Sequence, residues 1–332
     1  MKRTEQLQQQ AAALTRRDFL QRTAASAVAL SSARTSAAAL ALAPPLVPAI
    51  DTHTHFYDPA RPQGVPWPKP SETQLYRTYL PPEFQTLTAT HKVVGTVVVE
   101  ASPWVEDNQW VLDLAQEHPI IVGFVGNLTL GQPEFAAQLK RFSRNPLFRG
   151  LRLGERALAA GISDTAFKND LRRLADQRLT LDVLGGEALL PLVVQIAKLA
   201  PRLRVVIDHL PFGNWDNDAA SARRALTEIA RLPNVYAKVS GVARQSAGRP
   251  ITDLAYYRAG LDVLWELFGP RRLLYGSNWP VSERVAPYAT VHTIVHEYFA
   301  DKGSFAAAQF FWKNSHNAYH WLPRGAAAQL KP

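Results

Sequence analysis

The 332-residue sequence contains no cysteine and only one methionine. Lack of cysteine excludes disulfides, thiolate metal sites and a cysteine nucleophile in one step, and it suits an oxidising compartment. Long uncharged apolar runs are missing as well. The weakly apolar stretch 24–43 is alanine-rich and broken by Arg34, a poor match to the about 20 apolar residues that a membrane-spanning helix needs. Despite a formal net charge of +9, no run of Lys and Arg interleaved with aromatics marks a nucleic-acid track. Lys2, Arg3, Arg16, Arg17, Arg22 and Arg34 against Glu5 and Asp18 place +4 of that charge in the first 43 residues, leaving +5 scattered over the rest. Scattered charge of this kind reads as solvated surface, with a basic pocket for an anionic substrate as the alternative. What is present is ordinary globular material: 47% hydrophobic residues, eight Trp and ten Tyr, enough to fill a core and line a pocket.

Residues 15–21 read Thr-Arg-Arg-Asp-Phe-Leu-Gln and precede the small-residue stretch, the pattern of a bacterial twin-arginine signal. Residues 1–43 are therefore expected to be a cleavable signal segment. That places the mature protein, from residue 44 to 332, in the periplasm or outside the cell, with the twin-arginine export machinery as a partner. Small-x-small cleavage points lie at Ala37 to Ala39 and Ala39 to Ala41.

From Val47 onward, short β-branched runs alternate with amphipathic stretches, as in a parallel sheet covered by helices. Eight strands are expected: Val47–His53, Val93–Glu100, Ile120–Asn127, Phe148–Leu153, Leu179–Leu184, Arg204–His209, Asn234–Ser240 and Arg272–Ser277. Helices are expected between them, with two more after the eighth strand, Val285–Phe299 and the aromatic-rich Ser304–Tyr319. Eight alternating units without a second block of different texture point to an α/β fold, a (β/α)8 TIM barrel in a single domain. The proline-rich stretch Phe56–Pro70 follows the first strand on the face where such barrels keep their chemistry, as a lid or pocket wall.

Residues two apart on a strand point the same way, so His53 and His55 can both face the barrel mouth. Two imidazoles there can hold a divalent metal or polarise a substrate oxygen. The specificity comes from position, because other strands also end in polar groups. Glu100 ends strand 2, Arg152 lies near the end of strand 4, Asp182 is in strand 5, Asp208 and His209 end strand 6, Lys238 and Ser240 end strand 7, and Ser277 and Asn278 follow strand 8. Asp208, adjacent to His209, is expected on the opposite face. Asp182 reads as a ligand, a base, or a partner of Arg152 or Lys238. Arg152 and Lys238 can clamp a substrate carboxylate or form internal ion pairs.

Taken together, Asp51-Thr-His-Thr-His55-Phe-Tyr-Asp-Pro, Gly64-Val-Pro-Trp, Val98-Val-Glu-Ala-Ser102, Val206-Ile-Asp-His-Leu210, Val235-Tyr-Ala-Lys-Val-Ser-Gly241 and Leu274-Tyr-Gly-Ser-Asn-Trp-Pro280 resemble the amidohydrolase superfamily. The branch they are similar to is the amidohydrolase-related one that includes sugar-lactone hydrolases and 2-pyrone-4,6-dicarboxylate lactonase. The resemblance runs from Val47 to about Pro323 and implies a distorted barrel that opens a small lactone with water. It makes His53 and His55 the strand-1 pair, His209 the strand-6 histidine, and Asn278 the position where the family usually has Asp.

An amide cannot act as a general base. Either another carboxylate such as Glu100, Asp182 or Glu283 takes over, or a metal-bound hydroxide carries more of the work, or hydrolysis is lost. His53, His55 and His209 are the expected metal ligands, with Glu100 a possible fourth, for zinc or manganese. In the metal-free alternative the same histidines and Arg152 polarise the carbonyl. The catalytic set expected is His53, His55, His209, Glu100 and Asn278, with Arg152, Lys238 and Asp182 on a small, anionic substrate. Two rivals are a catalytically silent barrel that binds a small organic acid and a metal-dependent decarboxylase.

Overall fold

Eight strands pair in parallel and in chain order: β1 (Ala49–Thr54), β2 (Val93–Val99), β3 (Ile121–Gly126), β4 (Phe148–Gly154), β5 (Thr180–Leu184), β6 (Arg204–Leu210), β7 (Val235–Val239) and β8 (Leu273–Tyr275). The computed structural model describes residues 45–210 and 218–331, so the expected signal segment lies outside the described residues, as does the 211–217 loop that follows β6. The compact unit that carries the barrel is Leu46–Pro332.

Strand 8 meets strand 1 through a seam stitched largely by loop and side-chain groups. Asn278 N donates to His53 O at 2.9 Å and His55 N to Trp279 O at 2.9 Å. Ser277 N donates to Asp51 Oδ1 at 2.9 Å, and Thr52 Oγ1 donates to Tyr275 O at 2.6 Å. The seam can close this tightly because residue 276 is glycine: a Cβ there would stand 2.8 Å from the Cβ of His53.

Alternation along the strands separates two cores. Outward residues such as Val205, Ile207, Ala237 and Val239 pack under the helices. Inward residues Ile50, Val97, Val122, Val206 and Leu274 fill the barrel with Trp312, Tyr319 and Trp321 from the C-terminal segment. That segment, Ser304–Ala308, a π-helical turn Gln309–Lys313 and Asn314–Tyr319, brings Tyr319 into contact with the inward side chains. The aromatic-rich helix expected from the sequence thus supplies part of the barrel's own interior.

Helix starts follow capping chemistry: the carboxylates of Asp164, Asp218 and Asp253 accept from Phe167 N, Ser221 N and Ala255 N. Two elements go beyond the sequence reading. A seven-residue helix, Glu155–Gly161, follows β4, and a two-residue antiparallel ladder pairs Gln245–Ser246 with Arg249–Pro250. Both are too short for periodicity to mark them. Among the described residues no helix is long and apolar enough to cross a membrane.

Candidate active site

Strand alternation in β6 points Val206 and Asp208 inward, and the backbone then bends. His209 has φ +60°, and the pairing with β7 shifts between Ile207 and Leu210. The bend breaks the two-residue period, so Asp208 and His209 both serve the site. The expectation that Asp208 faces away from His209 is thereby corrected. Asn278 also sits at positive φ, +61°, as β8 turns into its loop. Histidine and asparagine are among the residues that tolerate this region best.

Beneath the mouth lies a wholly buried charged cluster. Lys238 Nζ is 2.8 Å from Asp182 Oδ2, 2.9 Å from Asp208 Oδ1 and 3.3 Å from His53 Nδ1. Tyr319 OH donates to Asp182 Oδ2 at 2.8 Å. Burial pushes the Asp182 carboxyl up to about 6, against the pull of Lys238. Burial also works to raise Asp208, but the charge of Lys238, helped by hydrogen bonding with His53, outweighs it and holds that carboxyl well below its usual range. Burial opposes the Lys238 charge, yet its two carboxylates raise it above the ordinary lysine value. Lys238 and Asp182 therefore lie below the mouth as partners of each other, away from any substrate carboxylate.

An ammonium has three donors and no acceptor. Lys238 Nζ donates to Asp182 Oδ2 and also faces His53 Nδ1, which accepts from it when neutral His53 carries its proton on Nε2; Asp208 Oδ1, 3.4 Å from the same Nδ1, accepts from the other tautomer. His53 Nε2 is buried and has no partner within the protein. His55 has its proton on Nδ1, which donates to Val99 O at 2.9 Å and leaves Nε2 as an acceptor. His209 Nδ1 pairs with Ser240 Oγ at 3.1 Å. Desolvation keeps all three rings neutral, His53 well below the usual histidine value, His55 at about 3 and His209 at about 4.

The mouth above them is a cavity of about 410 Å³ lined by His55, Trp67, Glu100, Arg152, His209 and Asn278 among others. Trp67, from the proline-rich loop, stands edge-on to His55 with centroids 6.0 Å apart, so that loop forms a wall. Arg152 donates through Nε to Glu100 Oε1 and through Nη2 to Glu100 O, both at 2.8 Å. Glu100 Oε2 accepts from Ser102 N at 2.8 Å. The pair holds itself, which occupies the carboxylate as a base and most of the guanidinium as a clamp. Glu283 accepts from Trp279 Nε1 at 2.9 Å.

His53, Asp208 and His209 present ligand atoms within 4.8 Å of one another, a donor set suited to a divalent ion. His55, the third expected ligand, lies beside this group with its ring 5.0 Å from that of His53, and Asp208 is a further donor that the sequence reading did not include among the ligands. Sequence reasoning left Asp208 out of the donors because it assigned that residue to the outer face; the inward parity of Val206 in the same strand is the signal that places it inside. The unpartnered His53 Nε2 is consistent with a ligand on that edge. A bound ion would take Nε2 after the proton passes to Nδ1, where Asp208 Oδ1 at 3.4 Å can accept it. When bound, such an ion supplies Lewis acidity and lowers the pKa of a water.

Three histidines and an aspartate at the C-terminal ends of parallel barrel strands define the class of barrel hydrolases that handle a polarised carbonyl. The chain matches the amidohydrolase family model over residues 50–321 and belongs to that family. It is 32% identical to an L-fucono-1,5-lactonase of Burkholderia ambifaria over 238 residues, covering 70% of this chain and 80% of the relative. An L-fucono-1,5-lactonase of Burkholderia multivorans is 29% identical, covering 85% and 98%. A crystal structure of an amidohydrolase from Burkholderia multivorans with bound zinc superposes with a TM-score of 0.73 at 26% identity, covering 83% of this chain and all of that one.

Proposed function

We propose that this protein opens the ring of a neutral sugar lactone by adding water to its carbonyl. The observation that carries the reading is the engagement of the cations: Arg152, the one cation among the described residues lining the mouth, is already bound to Glu100, and Lys238 lies buried between Asp182 and Asp208. A substrate carboxylate would find no unpaired cation there, whereas hydroxyls suit the donors and acceptors present. The kinship with two L-fucono-1,5-lactonases supports the same reading.

His53 Nε2–H, opposite the edge held by Lys238, is positioned to donate to a developing oxyanion, and His55 Nε2 is an acceptor for a water proton. Water oxygen bonds to the carbonyl carbon, the ring C–O bond breaks, and the ring oxygen takes up a proton. The product is a hydroxy acid, which ionises and releases one proton. Metal use is the alternative form of the proposal: zinc held by His53, Asp208 and His209 would polarise the carbonyl in place of the His53 Nε2–H, supported by the donor set and by the zinc in the related structure.

The twin-arginine pattern at Arg16 and Arg17 supports export to the periplasm, testable by localising a tagged chain before and after both arginines are replaced by lysine. Asn278 favours one rival, a silent barrel that binds a sugar acid, because among the described residues lining the mouth the one carboxylate, Glu100, is already engaged by Arg152. Acid release across aldono-1,5-lactones and 2-pyrone-4,6-dicarboxylate separates them. Hydrolysis of the sugar lactones is the expected result. Turnover of the dicarboxylate alone, or of nothing, overturns the proposal.

A further inference from the structure

A second cavity of about 570 Å³ opens beside the mouth and shares Glu100, Asn127 and Arg152 with it. It runs between the loop after β3, Leu128–Gln132, and the helix Glu155–Gly161. The space exists because this helix turns Ala157, Ala160 and Gly161 towards it, with Gly131 and Gly154 nearby. Ligand sites commonly occupy about 300–1,000 Å³. The mouth, at about 410 Å³, is by itself within that range for a single sugar ring. The second cavity is surplus to the reaction already described.

Its chemistry suits a second sugar. The exposed methyl groups of Ala157 and Ala160 and the edges of the largely buried Leu130 and Phe167 give the C–H face of a ring an apolar contact, while Thr129 and Gln132 bring a hydroxyl and an amide. At the junction, Arg152 spends Nε and Nη2 on Glu100, and among the described residues nothing accepts from Nη1. That N–H lies on a side chain lining both cavities, placed to meet an oxygen linking two sugars. The helix and loop themselves carry no free cation into the cavity, so an uncharged substituent fits better than an anionic one.

We propose that this cavity is a subsite for a glycosyl substituent, so that the substrate is the lactone of a disaccharide acid. The inference rests on the lactone reading above. It is tested by measuring kcat/KM of the full chain on glucono-1,5-lactone and cellobiono-1,5-lactone. The expected ratio is tenfold or more in favour of the disaccharide lactone, falling towards one in Ala157→Trp and in Ala160→Trp, whose exposed positions leave the core untouched. A ratio of one or below in the unmodified protein, or a ratio unmoved by both variants, overturns it. Should neither lactone react, the hydrolase reading fails by itself. Calorimetry with cellobionate and gluconate then decides the subsite: tighter binding of cellobionate that both variants weaken upholds it, and equal or absent binding overturns it.

Discussion

The ammonium of Lys238 lies 3.3 Å from Nδ1 of His53, and the two side chains are 0% exposed. A lysine at this distance favours the tautomer that leaves Nδ1 as an acceptor, against Asp208 Oδ1, which favours the other, so β6 and β7 together set the chemistry of a histidine on β1.

Replacing Lys238 by Met removes the cation between two buried carboxylates. Breaking a buried pair by deleting one partner costs about 3–5 kcal/mol, and a drop of this size in the free energy of urea unfolding is expected. Removing an acid as well, in Asp182→Asn with Lys238→Met, should recover part of that stability. Lactonase turnover should stay at least tenfold down in both, because His53 has lost the donor that favours its Nε2–H tautomer. Recovery of turnover together with stability would show that Lys238 serves the fold alone.

Zinc should stabilise the protein through His53, Asp208 and His209. An ion at 100 times its dissociation constant adds about 2.7 kcal/mol. The rise in melting temperature on adding zinc should vanish in His209→Ala and persist in His55→Ala, since His55 is outside the donor set. A shift lost equally in both variants would restore the three-histidine assignment.

Stability should fall as pH is lowered from about 6.5. His55 and His292 are pushed down to about 3 and His209 to about 4 by desolvation. Each stays neutral in the folded chain while taking up a proton when unfolded. Their stabilisation is therefore present above the unfolded value near 6.5 and is lost below it. Each contributes a slope of about 1.4 kcal/mol per pH unit inside its window. Burial raises Asp51 and Asp182 to about 6, with the opposite sign: the folded state holds their protons, which offsets part of the loss below pH 6. His292→Phe, away from the mouth, should flatten the profile by about one proton's slope. An unchanged profile would mean that His292 is protonated in the folded chain.

The eight strands and most helices were legible because alternation and capping are local. All eight strands fall within three residues of their expected ends. Which polar residues belong to the mouth and which to the cluster beneath it was not legible. That division depends on depth along each strand: Asp182 pairs with Arg152 in the β4–β5 register, yet its side chain reaches Lys238 across two strands. The bend at His209 falls on a residue that is neither glycine nor proline; Pro211 marks the end of the strand but not the positive φ at His209 that lets Asp208 and His209 act together. Tyr319, distant by 137 residues from Asp182, had no periodic signal linking it to the barrel interior.

Asn278 offers the sharpest test of the reaction. It lines the mouth with its backbone fixed on both sides, N–H to His53 O and carbonyl from Ser282 N, each at 2.9 Å. Aspartate shares asparagine's tolerance of positive φ, so Asn278→Asp should keep this geometry. Among the described residues the carboxylates in and below the mouth are engaged: Glu100 with Arg152 and Ser102 N, Asp208 and Asp182 with Lys238, and Glu283 with Trp279. A positioned general base contributes about 10²–10⁴ in rate. The variant should therefore raise kcat on a sugar lactone by about tenfold or more while KM changes little, and the gain should disappear as pH falls below the new carboxyl's pKa. An unchanged kcat would mean that a group already present, with His55 Nε2 the first candidate, takes the proton from water in the native enzyme.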